Sequence, residues 1–292
     1  MRATFAAAVA LSLASLARAE APANISAARV ETRDGSSGLR AAIGAASAAG
    51  PVWVGYAVET SSRDGSACCW SSHRDAGSCC GGCRLEGKRG DDSFNVSSTS
   101  TALEGPRRLH VLLRAERGRI QRVRAFSQDC AIDVKPLAFV WLDGVTGAGS
   151  VAYLAGLLDA DRDDARERDL PDGPLMALSM HAEPSAVDVM IRVAKRHPVA
   201  RVRSQSLFWL AQTAQRRAGD AIRGAIDDDP ETDVKKQAVF ALSQLPADEA
   251  IPHLMRLARA HANVEVRKQA MFWLGQTEDP RALAFFEEVL TK

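Results

Sequence analysis

The cysteines are the residues of this sequence most able to do chemistry, as disulfides, metal ligands or redox pairs. An even number of cysteines in an exported chain predicts a disulfide framework, and we expect three disulfides whose pairing the sequence leaves open. The spacing Cys80-Gly81-Gly82-Cys83 also suits a zinc knuckle or a redox pair. Zinc would require a second such pair, and a thioredoxin-like pair should open a helix, so structural disulfides are the better interpretation. The six predicted disulfide cysteines are Cys68, Cys69, Cys79, Cys80, Cys83 and Cys130.

No familiar catalytic motif occurs in the sequence. It contains no Gly-x-Ser-x-Gly, no phosphate-binding loop and no HExxH. The histidines fall outside nucleophile and metal-ligand patterns. The acidic run Asp227-Asp228-Asp229 before Pro230 is expected to be a solvated helix end, since the spacing of a calcium loop is absent. We therefore expect no catalytic residue, no metal site and no cofactor.

The first 19 residues resemble a targeting segment in their composition. Arg2 precedes an apolar stretch from Ala3 to Leu16, and Ala17-Arg18-Ala19 forms a small-x-small cleavage site. The apolar stretch is too short to span a bilayer. The sequence therefore predicts a signal peptide and a mature chain beginning at Glu20, in the periplasm or outside the cell.

The overall composition narrows the function classes. The 292 residues contain 37 Lys+Arg against 36 Asp+Glu, and 46% of them are hydrophobic. This balance argues against a dedicated nucleic-acid binder, which usually shows a basic excess. The apolar content is sufficient for a packed core.

Hydrophobic periodicity gives a coarse map of the N-terminal half. Alternation from Val52 to Val58 predicts a strand, and 109–115 with 120–126 predicts a hairpin. Ser150 is the expected N-cap of a helix. In chain order we predict a signal peptide over 1–19, a flexible lead-in over 20–50, a disulfide-rich α+β domain over 51–145, a helix and charged linker over 146–169, and a repeat solenoid over 170–292.

The last third of the chain repeats at an offset of 32 residues, from Val202 to Val234 and from Val234 to Val266. Residues that recur at this fixed spacing predict tandem helix hairpins, each with a helix A and a helix B. We count four units, the first of them degraded, and expect the Phe column to lie in the core, with Phe240 at its centre. The other repeating columns are Gln205/Gln237/Gln269, Phe208/Phe240/Phe272, Leu210/Leu242/Leu274 and Gln212/Gln244/Gln276.

This array resembles the HEAT-like repeats of bacterial proteins, including the type found in phycobilisome lyases. The resemblance rests on Val202-Arg203-x-x-Ser206, Val234-Lys235-x-x-Ala238 and Val266-Arg267-x-x-Ala270, each followed by a leucine. It implies a right-handed stack of helix hairpins with a concave binding surface. The expected fold is thus multidomain, with an all-α HEAT-like solenoid after a small disulfide-rich α+β domain.

Basic side chains on the B helices form a candidate partner-binding stripe. In the architecture that the resemblance implies, they line the concave side, where aligned positive charges would attract an acidic protein. An ordinary solvated face is the alternative interpretation. The candidate residues are Arg192, Lys195, Arg223, Arg256 and Arg259.

The sequence therefore predicts a non-catalytic binding or scaffold protein that uses its solenoid for protein–protein interaction. The first alternative is an enzyme or enzyme accessory whose site lies in the cysteine-rich N-terminal domain. The second, suggested only by the repeat type, is handling of a bilin chromophore. A pocket with convergent polar groups near Trp53 and Cys130 would favour the enzyme.

Overall fold

The computed structural model describes residues 21–61, 83–86, 107–159, 172–213 and 215–291. The predicted signal peptide, most of the cysteine-rich loop and most of the charged linker lie outside these ranges. Within them, no helix combines the length and the apolar character that a membrane span requires.

The N-terminal half is an α/β region built on a five-stranded mixed sheet with strand order β2-β8-β3-β5-β6. β2, β8 and β3 pair in parallel, whereas β3, β5 and β6 pair antiparallel. The parallel part needs long crossover connections, so this region departs from the predicted α+β arrangement. The strands are β2 (Val30–Asp34), β3 (Val52–Glu59), β5 (Arg108–Glu116), β6 (Arg119–Ser127) and β8 (Ala138–Asp143).

Both faces of this sheet are covered, and β3 shows how. Val54, Tyr56 and Val58 point to the face that carries the helices, whereas Trp53 points to the opposite face. There a small parallel sheet packs, with strand order β1-β7-β4. Its strands are β1 (Ile25–Ser26), β4 (Cys83–Arg84) and β7 (Ile132–Asp133).

The predicted strand at 52–58 and the predicted hairpin are both confirmed. Arg117 and Gly118 form the hairpin turn with φ angles of 49° and 76°. Positive φ at both central residues matches the twist of the flanking strands, and glycine adopts it without strain.

Residues assigned to a flexible lead-in form regular elements instead. β1, β2 and the helix α1 (Leu39–Ser47) all fall within 20–50. β2 pairs with β8 only, at the edge of the sheet, and none of its residues is buried. An edge strand of this kind lacks the apolar alternation by which strands are recognised.

The helix expected to begin at Ser150 is α2 (Gly147–Asp159), which begins three residues earlier. The hydroxyl of Thr146 accepts a hydrogen bond from the Gly149 amide at 3.1 Å, so Thr146 performs the capping assigned to Ser150. Ser150 is buried inside the helix, and its Oγ lies 2.9 Å from the hydroxyl of Tyr56. This hydrogen bond joins α2 to the centre of the sheet.

Eight helices form four hairpins after α2 in the part of the chain that the structure describes. The A helices are α3 (Asp172–Ser179), α5 (Ala200–Thr213), α7 (Thr232–Ser243) and α9 (Val264–Gly275). The B helices are α4 (Ser185–Arg196), α6 (Gln215–Asp228), α8 (Ala247–Ala260) and α10 (Pro280–Leu290). These elements confirm the predicted helical repeats.

One basic residue in each of the last three A helices closes the turn before it. Arg203 donates to the carbonyl of His197 at 2.9 Å, Lys235 to that of Ile226 at 2.8 Å, and Arg267 to that of His261 at 2.7 Å. A cation at a helix C-terminus satisfies carbonyls that have no partner within the helix. This repeated column therefore stabilises the turns of the array.

Asp229 differs from the solvated helix end that the sequence predicts. It is buried, and its carboxylate accepts two hydrogen bonds from the Arg203 guanidinium at 2.7 and 2.9 Å. Burial alone would raise the pKa of Asp229, but hydrogen bonds from Arg203 and the Glu231 amide hold it below its usual value. Of the three aspartates in the acidic run, Asp227 and Asp228 are the exposed ones.

The sheet and the repeat array share one continuous core. The buried side chains of β6, α2, α3 and α4 belong to the same apolar cluster, including Val123, Leu154, Leu175 and Met190. α3 lies so close to β6 that a Cβ at Gly173 would meet the carbonyl oxygen of Val123 at 2.4 Å. The first repeat is thus built onto the sheet.

Candidate functional site

Three aromatic rings line up across the A helices of consecutive repeats. The ring of Phe208 on α5 stacks on that of Phe240 on α7, with centroids 6.0 Å apart and planes 11° apart. Phe240 in turn contacts Trp273 on α9 at 5.1 Å. The rings form a continuous apolar strip that crosses three helices.

A groove of about 490 Å³ lies along this strip. Its apolar wall consists of the three rings, and side-chain amides and one ion pair form the rest of the lining. Lys236 Nζ and Asp233 Oδ1 of that pair are 3.3 Å apart. We call this feature the A-helix groove, lined by Phe208, Asp233, Lys236, Gln237, Phe240, Gln269 and Trp273.

The prediction that the Phe column lies in the core is wrong. Phe240 and Phe208 are half-buried, and Phe272 is exposed. At 3.6 residues per turn, the Phe position lies about 240° around the helix from the Val position, whereas the Ala/Ser and Leu positions lie within about 80° of it. The core columns are therefore Val202/Val234/Val266, Ser206/Ala238/Ala270 and Leu210/Leu242/Leu274, all of them buried.

Two members of the first glutamine column take part in the groove. Gln237 and Gln269 line it. The Oε1 atom of Gln205, in the same column, is buried without a hydrogen-bond partner in the described part of the chain. The second column, Gln212, Gln244 and Gln276, is exposed.

The basic stripe of the B helices is largely neutralised by carboxylates of neighbouring helices. Arg192 Nη1 lies 2.8 Å from Asp159 Oδ1, and Arg223 pairs with Glu249 of the next repeat at 2.5 Å. Arg259 forms an ion pair with Glu288 of the next repeat. Pairing of this kind lowers the positive potential that a partner would meet.

The two remaining residues of the stripe are Lys195 and Arg256. Both are exposed, and neither forms an ion pair with another described residue. Arg256 contributes, after burial and Arg223, to a lowered pKa of His253 on the same helix. These two cations are the part of the stripe still open to a partner.

The polar groups around Trp53 satisfy one another. The Trp53 indole donates to Glu86 Oε1 at 2.9 Å, and Arg114 Nε donates to the same oxygen at 2.7 Å. Cys130 is buried in the adjoining cluster. The other five cysteines are not described beyond the backbone of Cys83, so the three-disulfide framework stays a prediction.

Two buried histidines of the N-terminal region each have a ring nitrogen without a partner. His110 Nδ1 and His181 Nε2 are the atoms concerned, counting only described residues as possible partners. Burial lowers the pKa of His110 to about 4, and nearby Arg108 acts in the same direction against Asp129. Within the described ranges, no three His, Cys, Asp or Glu side chains converge as metal ligands would.

The stacked helix hairpins, with their recurring core columns and basic turn residue, define a helical repeat of the HEAT type. Residues 219–292 match the family model for HEAT repeats, so this C-terminal region consists of HEAT repeats. This confirms the resemblance drawn from the sequence.

Among solved structures, the chain is similar to the Escherichia coli protein YibA. The two are 18% identical, with a TM-score of 0.34, over 49% of this chain and 54% of that protein. The chain thus matches about half the length of YibA. No curated protein sequence matches the chain significantly.

Proposed function

We propose that this protein is an exported scaffold that binds another protein through its HEAT repeat array and catalyses no reaction itself. HEAT repeats commonly serve as protein–protein interaction surfaces. The export part of the proposal rests on the composition of residues 1–19 and on the cysteine content. Intact-mass measurement of the exported protein should show that residues 1–19 are absent, and their retention would contradict export.

The A-helix groove is the observation that carries the binding proposal. The buried Val, Ala/Ser and Leu columns already form the core of the last three repeats. The aromatic strip is therefore not needed to complete that core. Aromatic side chains held on a rigid surface at low entropic cost are typical anchors of protein interfaces. The volume of the groove falls within the ~300–1,000 Å³ of ordinary binding pockets.

The charges of the groove indicate the character of its partner. Lys236 and Asp233 neutralise each other at its rim. Gln237 and Gln269 offer both donors and acceptors to a polypeptide backbone. A segment with apolar side chains and exposed backbone polar groups suits this lining better than a strongly acidic segment.

The B-helix stripe is the second candidate surface, through Lys195 and Arg256. A photoreactive phenylalanine analogue placed at one position at a time distinguishes the two surfaces in the native envelope fraction. The informative positions are Gln237 in the groove, Arg256 on the stripe and Gln121 on the exposed side of β6. We expect one discrete crosslinked species from Gln237 alone.

Each other outcome has a defined meaning. Crosslinking from Arg256 alone would assign binding to the stripe, and crosslinking from Gln121 alone would assign it to the sheet. An absence of crosslinks from all three positions would contradict the scaffold proposal.

A matched pair of variants then tests the aromatic strip itself. Phe240→Ser should abolish the crosslink from Gln237, because it removes the central ring. Phe272→Ser is the control, since Phe272 occupies the same column but does not line the groove. Equal loss of the crosslink in both variants would show that the groove is not the binding surface.

A further inference from the structure

The A-helix groove carries a row of aromatic rings and, beside it, a row of side-chain amides. Gln237 lies three residues before Phe240 on α7, and Gln269 lies four residues before Trp273 on α9. Residues three or four positions apart are neighbours on a helix surface, so each of these rings has an amide one turn away. A segment that lies across the helices therefore meets rings on one side and amides on the other.

The described residues that line the groove carry no net charge. Asp233 and Lys236 supply one charge of each sign, and their side chains approach to 3.3 Å. Domains that bind acidic or phosphorylated segments use clusters of arginine, and there is no arginine among these lining residues. The charge of the groove therefore favours a neutral segment.

The backbone of the bound segment must offer partners to the amides. An α-helix satisfies its own backbone groups, so a helix laid in the groove would leave Gln237 and Gln269 buried without hydrogen bonds, at a cost in affinity. Addition of a β-strand requires the open edge of a sheet, whereas the groove lies on α5, α7 and α9. An extended segment with free carbonyl groups meets neither obstacle.

The polyproline II conformation suits both rows of side chains. It has no internal hydrogen bonds, so its carbonyl groups can accept from the amides of Gln237 and Gln269, and proline has no N–H group that needs an acceptor. Two residues of this conformation advance ~6.2 Å, close to the 6.0 Å between the ring centroids of Phe208 and Phe240. Successive proline-containing dipeptides can therefore step from one ring to the next.

We propose that the A-helix groove binds a neutral, proline-rich segment of the partner protein in the polyproline II conformation. This inference rests on the proposed binding role of the groove and adds the chemical class of the segment that it binds. Such segments are already extended before binding, so they lose little conformational entropy when they dock on a preformed aromatic surface.

Fluorescence anisotropy of labelled synthetic peptides, titrated with the full mature chain, tests this inference. The probe is an alternating Ala-Pro peptide of about 12 residues, which at ~3.1 Å per residue is long enough to cross the three rings. An alternating Ala-Gly peptide of the same length is equally neutral but lacks both the proline rings and the stiff backbone. We expect a micromolar dissociation constant for the Ala-Pro peptide and at least about tenfold weaker binding of the Ala-Gly peptide.

Two variants locate the bound peptide. Phe240→Ser should weaken binding of the Ala-Pro peptide about tenfold or more, because it removes the central ring. Gln237→Ala leaves the rings in place and should weaken binding about threefold through loss of one hydrogen bond. Phe272→Ser is the control and should bind like the wild type, since Phe272 does not line the groove. Unchanged affinity in both Phe240→Ser and Gln237→Ala would overturn the inference.

A leucine-rich amphipathic helical peptide separates failure of this inference from failure of the proposed function. If the helical peptide binds through Phe240 and the Ala-Pro peptide does not bind, the proline class is wrong and the groove remains the binding surface. The inference is also overturned if the Ala-Pro peptide fails to bind while Gln237 still gives its crosslink. Absence of both peptide binding and the crosslink would overturn the inference and the proposed function together.

Discussion

In the sheet region the polar contacts of buried side chains occur once, whereas in the repeat array one polar contact returns in three successive repeats. Tyr56 has its single partner in Ser150, and Trp53 shares Glu86 with Arg114. In the array, by contrast, one basic column donates to the turn carbonyls of three successive repeats. We therefore expect the stability cost of a substitution in the array to depend on the repeat column that it changes. In the sheet region the cost should depend on the individual contact that is lost.

The largest expected effect is a difference in unfolding free energy between substitutions in two columns of the same helix, α7. Leu242→Ala should destabilise the protein by about 2–5 kcal/mol, because Leu242 is fully buried in the array core. Phe240→Ala should cost about 1 kcal/mol or less, because its ring borders the A-helix groove and water can fill the space. Urea unfolding followed by circular dichroism measures both, and equal costs would show that the columns do not divide core from groove.

In the sheet region a single histidine should make stability depend on pH. The pKa of His110 is lowered to about 4 in the folded protein, against about 6.5 when unfolded. The unfolded chain therefore takes up a proton first as the pH falls. The contribution of neutral His110 to the unfolding free energy is fully present above about pH 6.5 and is lost as the pH falls from about 6.5 to about 4. The loss amounts to about 2 kcal/mol at pH 5.

His110→Phe removes this titration and keeps a ring against Trp141, which His110 contacts edge-on at 5.2 Å. Urea unfolding at pH 7.5 and pH 5 should show a smaller loss of stability in the variant than in the wild type. Burial also lowers the pKa of His181, so the variant should keep part of the dependence. An identical pH dependence in both proteins would rule out His110 as its source.

The junction between the two regions should tolerate no added atom. Gly173→Ala places a methyl group against the Val123 carbonyl, and we expect a loss of about 1–3 kcal/mol. Gly224→Ala is the control, since a Cβ there meets nothing within 4 Å and the helix gains up to about 1 kcal/mol. If thermal unfolding shows no difference between the two variants, the sheet and the array do not share a tightly packed core.

The smallest effect should come from the B-helix face. Arg223→Glu places a third carboxylate beside Asp220 and Glu249, and it should lower the unfolding free energy by about 1 kcal/mol. Arg256→Glu should change it by less than about 0.5 kcal/mol, because Arg256 is exposed and unpaired among the described residues. Thermal denaturation at low salt compares them, and a larger cost for Arg256→Glu would contradict the pairing pattern.

Periodicity explains which parts of the molecule the sequence could predict. Val202, Val234 and Val266 mark the helices of the array because identical environments require similar residues at fixed spacing. The position of the Phe column was also available from the sequence, because helix geometry alone places Phe240 opposite the core. Apolar character alone predicts a core position for a phenylalanine, whereas the angle around the helix places this column on the side of the A-helix groove.

Contacts that occur once leave no such pattern. Nothing near Thr146 or Ser150 in the sequence shows which of them caps α2 and which bonds to Tyr56. The pairing of Arg223 with Glu249 depends on how two helices stack, and the linear order of charges does not specify it. The edge strand β2 is equally hidden, because its side chains stay partly in water.

The sheet at one end of the array also gives unfolding a direction. Stacked repeats contact only their neighbours, so their opening behaves as a one-dimensional chain of coupled units. α3 is held between β6 and the next repeat. Amide hydrogens of α3 should therefore exchange more slowly than those of repeats that do not contact the sheet.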